Sequence, residues 1–158
     1  MPPAVIIPTF NESDNIPTLI AQILALPIDA HIIVVDDNSP DGTGQLVDGI
    51  AKTESRVDCV HRPAKLGLGT AHIAGMRRAF ELQLDPLITM DADFSHHPRY
   101  IPALLAGLER HDVVIGSRYV RGGGMQGRHL KLRLVSWGAN WFARMMLNIK
   151  AHDCTSGF

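Results

Sequence analysis

The sequence predicts an α/β fold, a Rossmann-like sandwich with a mostly parallel central sheet and helices on both faces. Three observations carry this. Short β-branched runs alternate with longer helical patterns along the chain. The runs are apolar, while polar residues crowd the positions just after them. No repeat, low-complexity segment or linker divides the chain, so one domain is expected.

The elements follow in order. Val5 to Ile7 is a short β run, stopped by Pro8. Asn11 to Asn15 supplies helix-capping residues, and an apolar helical pattern runs from Ile16 to Leu26 until Pro27 ends it. His31 to Val35 is a second strand, ending in Asp36-Asp37, and Gly42 to Lys52 a second helix. Val57 to His61 is a third strand, and Leu68 to Leu84 a third helix broken by Asp85-Pro86. Leu87 to Met90 is a fourth strand, and Pro98 to Leu108 a helix with proline at its start. Val113 to Ile115 reads as a fifth strand. After the loop Gly122-Gly123-Gly124, Leu130 to Ile149 reads as a last, longer helix. On that helix Leu134, Trp137, Trp141 and Met145 recur at helical spacing, which favours a core stripe over a lipid-facing one.

Composition sets the bounds. With 158 residues and 46% hydrophobic content, the chain can bury a real core and is not a disordered segment. It holds no apolar run of membrane-spanning length, and Met1-Pro2-Pro3 does not begin a signal peptide. Cys59 and Cys154 make neither a disulfide framework nor a zinc spacing, so both are expected to be free thiols in a reducing cytoplasm. The net charge is −1, but it is unevenly spread: residues 118–150 hold seven Lys/Arg and no Asp/Glu. Such a segment points to a phosphorylated or membrane-surface partner, and no nucleic acid is expected.

In open sheets of this kind ligands bind at the carboxyl ends of the strands. Asp91-Ala92-Asp93 follows the fourth strand. Carboxylates at i and i+2 of an extended chain point the same way and repel unless a cation lies between them, and oxygen donors suit Mg²⁺ or Mn²⁺. Asp37, after the second strand, is placed to accept from a nucleotide, with Asn38, Ser39 and Asp41 as turn residues. Lys65-Leu66-Gly67-Leu68-Gly69-Thr70 fits neither the dinucleotide fingerprint nor the P-loop, so it reads as a tight loop before a helix, with Lys65 a supporting charge. His96 and His97 adjoin the acidic pair and read as helix-entry residues.

Block after block then resembles one family. VIIPTFNESDNI, VVDDNSPDGT, KLGLGTAHIAGMRRA, MDADFSHHPRYIPALL, DVVIGSRYVRGG and DCTSGF are similar to dolichol-phosphate mannosyltransferases and their bacterial polyprenol-phosphate relatives, among the family 2 glycosyltransferases of the GT-A fold. The resemblance implies an inverting, metal-dependent transfer of mannose from GDP-mannose to a polyprenyl phosphate lipid. It also implies a peripheral position at the cytoplasmic membrane face, with a membrane-anchoring partner protein possible. Carried over by position, Pro8, Phe10, Glu12, Val35 and Asp37 would hold the nucleoside. Asp91, Ala92 and Asp93 would hold the diphosphate and metal, and Ser95 stands where relatives often carry a glutamine that serves as an oxygen ligand to the metal. Arg118 would bind the diphosphate or the acceptor phosphate, and Asp93 and Arg118 would carry the catalysis. Arg128, Lys131 and Arg133 share the acceptor role without a unique alignment, and Ser136 would add a hydrogen bond. Phe10 replaces the usual tyrosine. Relatives continue past Ser156-Gly157-Phe158, so the single domain 1–158 is expected to be incomplete at its C-terminus.

Three alternatives stay open at the level of sequence. Asp37 would serve a UDP-sugar as well as GDP-mannose. A nucleotide-sugar-binding domain without turnover has the same motifs. A nicotinamide dehydrogenase shares the fold class, but the failed glycine pattern argues against it.

Overall fold

A computed structural model describes residues 1–118 and, beyond them, residues 138, 141, 145, 146, 153, 157 and 158. The chain divides into two compact units, Met1–Ala106 and Gly107–Phe158.

The first unit is built on a four-stranded parallel sheet of β1 (Ala4–Thr9), β2 (His31–Asp36), β3 (Val57–His61) and β4 (Leu87–Thr89), in the order β3-β2-β1-β4. Its helices are α1 (Ile16–Leu24), α2 (Thr43–Ala51), α3 (Leu68–Glu81) and α4 (Ile101–Gly107), the last entered through a 3-10 turn at Pro98–Tyr100. The chain winds outward from β1 to β3 and then returns to the other side of β1 for β4. That reversal creates the crevice at the strand ends where such folds bind ligands.

The strands are apolar because both faces are covered. Ala4, Ile6, Ile33 and Val35 are buried with Ala71, Ala79 and Leu84 in the core under α3. Val5, Ile7, Ile32 and Val34 alternate with them and are equally inaccessible on the opposite face. Gly75 lets α3 approach: a Cβ there would overlap Ile6 Cγ2 and lie 3.1 Å from Val35 Cγ2.

One boundary and one cap differ from the sequence reading for physical reasons. β1 does not stop at Pro8 but runs through it to Thr9. Ala4 N–H donates to Pro86 and Ile6 C=O accepts from Met90, so Pro8, at the same parity, faces the β4 side beyond the last β1–β4 pair, Ile6↔Thr89. Its missing N–H therefore costs no ladder bond. The expected side-chain cap at Asn15 is not made; instead Glu12 C=O accepts from Ile16 N–H, and Asn15 Nδ2 donates to Glu12 Oε2 at 2.8 Å.

In the second unit, the fifth strand expected at Val113–Ile115 is absent. These residues form no regular structure, and Val113 is 75% exposed. Gly116 N–H donates to Phe158 C=O at 2.7 Å, a contact no local pattern reveals. Trp141 and Met145, expected in a core stripe, are helical but exposed, as is Met146. Leu134 and Trp137 lie outside the described residues.

Candidate functional site

The loops after β1 and β2 are knitted together. Asp36, at the end of β2, accepts from Thr9 Oγ1 at 3.0 Å, Ser39 Oγ at 2.5 Å and Ser39 N–H at 2.9 Å. Ser39 Oγ in turn accepts from Asn11 N–H, and Thr43 Oγ1 accepts from Glu12 N–H, each at 3.0 Å. Asn11 and Asn38 both take left-handed backbone conformations (φ 61° and 56°), which asparagine tolerates better than most residues. Asp36 is thus the structural acid, which leaves Asp37 facing the other way.

Asp37 is nearly buried. Its carboxylate pairs with Arg62 Nε at 3.2 Å, with side chains 8% and 7% exposed respectively. The contact is not aligned as a hydrogen bond, and Asp37 Oδ1 has no hydrogen-bond partner. A buried acceptor held by charge alone retains capacity for an N–H donor. Arg62 is fixed from behind: its NH2 donates to Thr70 Oγ1 at 2.8 Å and its NH1 reaches Gly67 C=O at 3.5 Å. Nearby, Phe10 is partly exposed, with Lys65 Nζ 4.3 Å from its ring centroid, a cation–π contact.

The acidic segment after β4 bends rather than staying extended. Ala92 is buried, and Phe94 turns the chain at φ 58°, a strained conformation for a bulky residue. Ser95 N–H then donates to Asp93 Oδ1 at 2.9 Å. Partial burial works against the Asp93 charge, but the Ser95 hydroxyl and amide, with His96 nearby, hold its carboxyl below the ordinary value. Asp91 is 40% exposed at its side chain; its N–H donates to His96 Nδ1 at 3.0 Å, and its Oδ2 lies 3.7 Å from the same nitrogen. Both side chains offer oxygen donors, the ligand type a hard divalent cation takes.

Other expected site residues are placed as follows. Glu12 ties the β1 loop to the start of α1. Val35 is wholly buried in the core under α3, and Pro8 is half-buried at the strand end. In the second unit, Arg118 Nε and NH2 grip Asp153 at 2.7 and 2.8 Å, and the Arg118 N–H adds a 3.2 Å bond to that buried carboxylate. Arg128, Lys131, Arg133 and Ser136 lie outside the described residues. Arg62, which holds Asp37, is a residue that motif reading misses. Burial holds His72 below its ordinary pKa against the pull of Asp91, and its Nδ1 has no partner. Arg62 follows β3 directly, so the strand-end rule applied to that strand would have found it.

The sequence model of glycosyl transferase family 2 matches residues 4–158. The chain belongs to glycosyl transferase family 2. Within the family it is 40% identical over 153 residues to the undecaprenyl-phosphate mannosyltransferase of Micrococcus luteus, covering 97% of this chain and 63% of that one. It is also 40% identical over 156 residues to the polyprenol monophosphomannose synthase of Mycolicibacterium smegmatis, covering 98% of this chain and 59% of that one. The chain thus spans about three fifths of these relatives. The solved structure of S. aureus TarS 1-349 in complex with UDP superposes with a TM-score of 0.62 at 21% identity, over 82% of this chain and 38% of that one. That likeness supports the fold, an α/β arrangement of GT-A type.

Proposed function

We propose that this chain forms the nucleotide-sugar-binding part of a polyprenol-phosphate mannosyltransferase, which moves mannose from GDP-mannose to the phosphate of a membrane polyprenol. The observation that carries the reading is the buried Asp37 Oδ1 just past β2, which meets the Arg62 charge but has no hydrogen-bond partner, in a chain 40% identical to two enzymes named for this activity. Asp37 accepts from the guanine N–H edge, Arg62 holds that carboxylate in place, and Phe10 offers its ring to the base. A divalent cation, Mg²⁺ or Mn²⁺, held by Asp91 and Asp93 would neutralise the leaving diphosphate.

The acceptor needs no strong base. A phosphate monoester has a second pKa of about 6 and is already ionised at pH 7. Its need is positive charge to bring two anions together. Seven Lys/Arg without an acid over residues 118–150 supply it: Arg128, Lys131 and Arg133 serve the acceptor phosphate, Ser136 adds a hydrogen bond to it, and Arg118 serves the diphosphate or the acceptor phosphate. Ser95 orients Asp93.

The test is a thermal shift with GDP, GDP-mannose, UDP and NAD, each with and without Mn²⁺, on the wild type and Asp93→Ala. A ligand that binds only the folded state raises the melting temperature. GDP with Mn²⁺ raises it in the wild type, and the Mn²⁺-dependent part disappears in the variant. A larger shift with UDP reassigns the donor, and a metal-independent shift with NAD overturns the reading. Mannose transfer to polyprenyl phosphate then separates the transferase from a binding domain.

A further inference from the structure

Beneath α2, on the sheet face away from Asp37, α2 and β3 bring three unlike donors together. Cys59 and His61 are two residues apart in β3 and therefore stand on one face. Asp48 lies on α2 above them, one turn after Gly44. One ligand atom from each residue, a carboxylate oxygen, Sγ and a ring nitrogen, lies within 4.8 Å of the others. Among the described residues this is the one such cluster of His, Cys, Asp or Glu. It is also preset. An added Cβ on Gly44 would lie 2.9 Å from His61 Cε1 and 3.1 Å from Nδ1, so only glycine lets the ring rest against the first turn of α2. His61 Nε2 already faces Asp48 at 2.9 and 3.1 Å, and Cys59 Sγ sits 3.9 Å from Gly44 C=O.

We propose that Asp48, Cys59 and His61 form a binding site for a borderline-soft divalent cation, with Zn²⁺ as the fitting ion. Metal–ligand bonds of about 2.0–2.3 Å put tetrahedral ligand atoms roughly 3.3–3.8 Å apart. The His61–Asp48 pair has to widen by about half an ångström and Cys59 to swing in, which is side-chain motion only. His61 and Asp48 are 49% and 47% exposed at their side chains, so water takes the fourth position. The Cys59 thiol proton leaves to solvent as the metal–sulfur bond forms. Thiolate and imidazole donors separate this site chemically from the oxygen-only pair Asp91 and Asp93. The sequence showed no zinc spacing because its third ligand comes from a different element.

Co²⁺ is the probe, because a cobalt–thiolate bond gives a near-ultraviolet charge-transfer band. The wild-type chain, reduced and metal-free, develops that band to one Co²⁺ per chain. An equimolar addition of Zn²⁺ removes it, while a large excess of Mg²⁺ leaves it. Cys154→Ser and the Asp91→Ala/Asp93→Ala pair retain the band, and Cys59→Ser loses it. His61→Gln, a half-exposed change that spares the core, weakens Zn²⁺ at least about tenfold by competition titration. No band in the wild type, a band that survives Cys59→Ser, or unchanged Zn²⁺ affinity in His61→Gln overturns the site.

Discussion

Arg62 and Asp37 are each almost wholly removed from water, with side chains 7% and 8% exposed. Their mutual charge offsets the loss of solvent, so removing one partner strands the other. Breaking a buried pair in this way costs about 3–5 kcal/mol, whereas replacing both partners by apolar residues is far milder. Arg62→Leu therefore loses about 3–5 kcal/mol in urea unfolding, and Arg62→Leu/Asp37→Leu recovers most of it. Equal losses in the single and double variants would mean that the pair is not the source. The acids themselves are legible in the sequence, because the segments Asp36-Asp37 and Asp91-Ala92-Asp93 directly follow apolar runs. Arg62 is harder to see: a lone arginine after a strand belongs to no motif, and its partners Asp37, Gly67 and Thr70 come together only in the fold. The division of labour within Asp36-Asp37 is likewise invisible, since strand alternation alone decides which carboxylate builds the turn.

At the scale of elements, the start of α2 and the β1 loop share one carboxylate. Asp41 accepts from Thr43 N–H at 3.0 Å, Thr43 Oγ1 at 2.6 Å and Ser13 N–H at 3.0 Å. Desolvation, the largest single influence, opposes the charge, but these bonds together outweigh it and bring its pKa from 3.8 down to about 2. A carboxyl depressed in the folded state contributes stability that is fully present above the unfolded value and fades as pH falls through the folded one. Asp41's share is therefore constant above about pH 4 and lost between about pH 4 and 2. Acid-unfolding curves of the wild type and Asp41→Ala should converge over that window. A constant gap at every pH would assign the effect to packing instead. Elements of this size are well marked in the sequence: β3 falls at Val57–His61 as read, and α1 to α4 differ from the reading only at their ends. Val113–Ile115 fails because three apolar residues carry no period, and nothing local tells a strand from an irregular segment.

At the scale of the whole molecule, the charge distribution and the exposed apolar side chains act together. Trp141 is 57% exposed, and Met145 and Met146 are exposed as well, all three inside the acid-free stretch 118–150. No helix among the described residues is long and apolar enough to cross a membrane. Basic charge beside exposed Trp and Met is the composition of an interfacial contact. The chain should co-sediment with anionic liposomes at low salt and be released as the Debye length shrinks to about 3 Å at 1 M salt. Trp141→Ser should weaken retention. Absence of binding at low salt would remove the membrane contact from this part of the protein.

The knitted strand-end loops also govern how the protein ages. An asparagine loses its side-chain amide when the backbone nitrogen of the next residue attacks it and closes a five-membered imide. At both left-handed asparagines that nitrogen is already engaged. Ser39 N–H, following Asn38, donates to Asp36, and Glu12 N–H, following Asn11, donates to Thr43. The bonds that shape the crevice thus shield its two most turn-prone amides from deamidation. Peptide mass spectrometry after prolonged incubation at mildly alkaline pH should find Asn11 and Asn38 intact in the folded chain and converted to aspartate and isoaspartate in the urea-unfolded one.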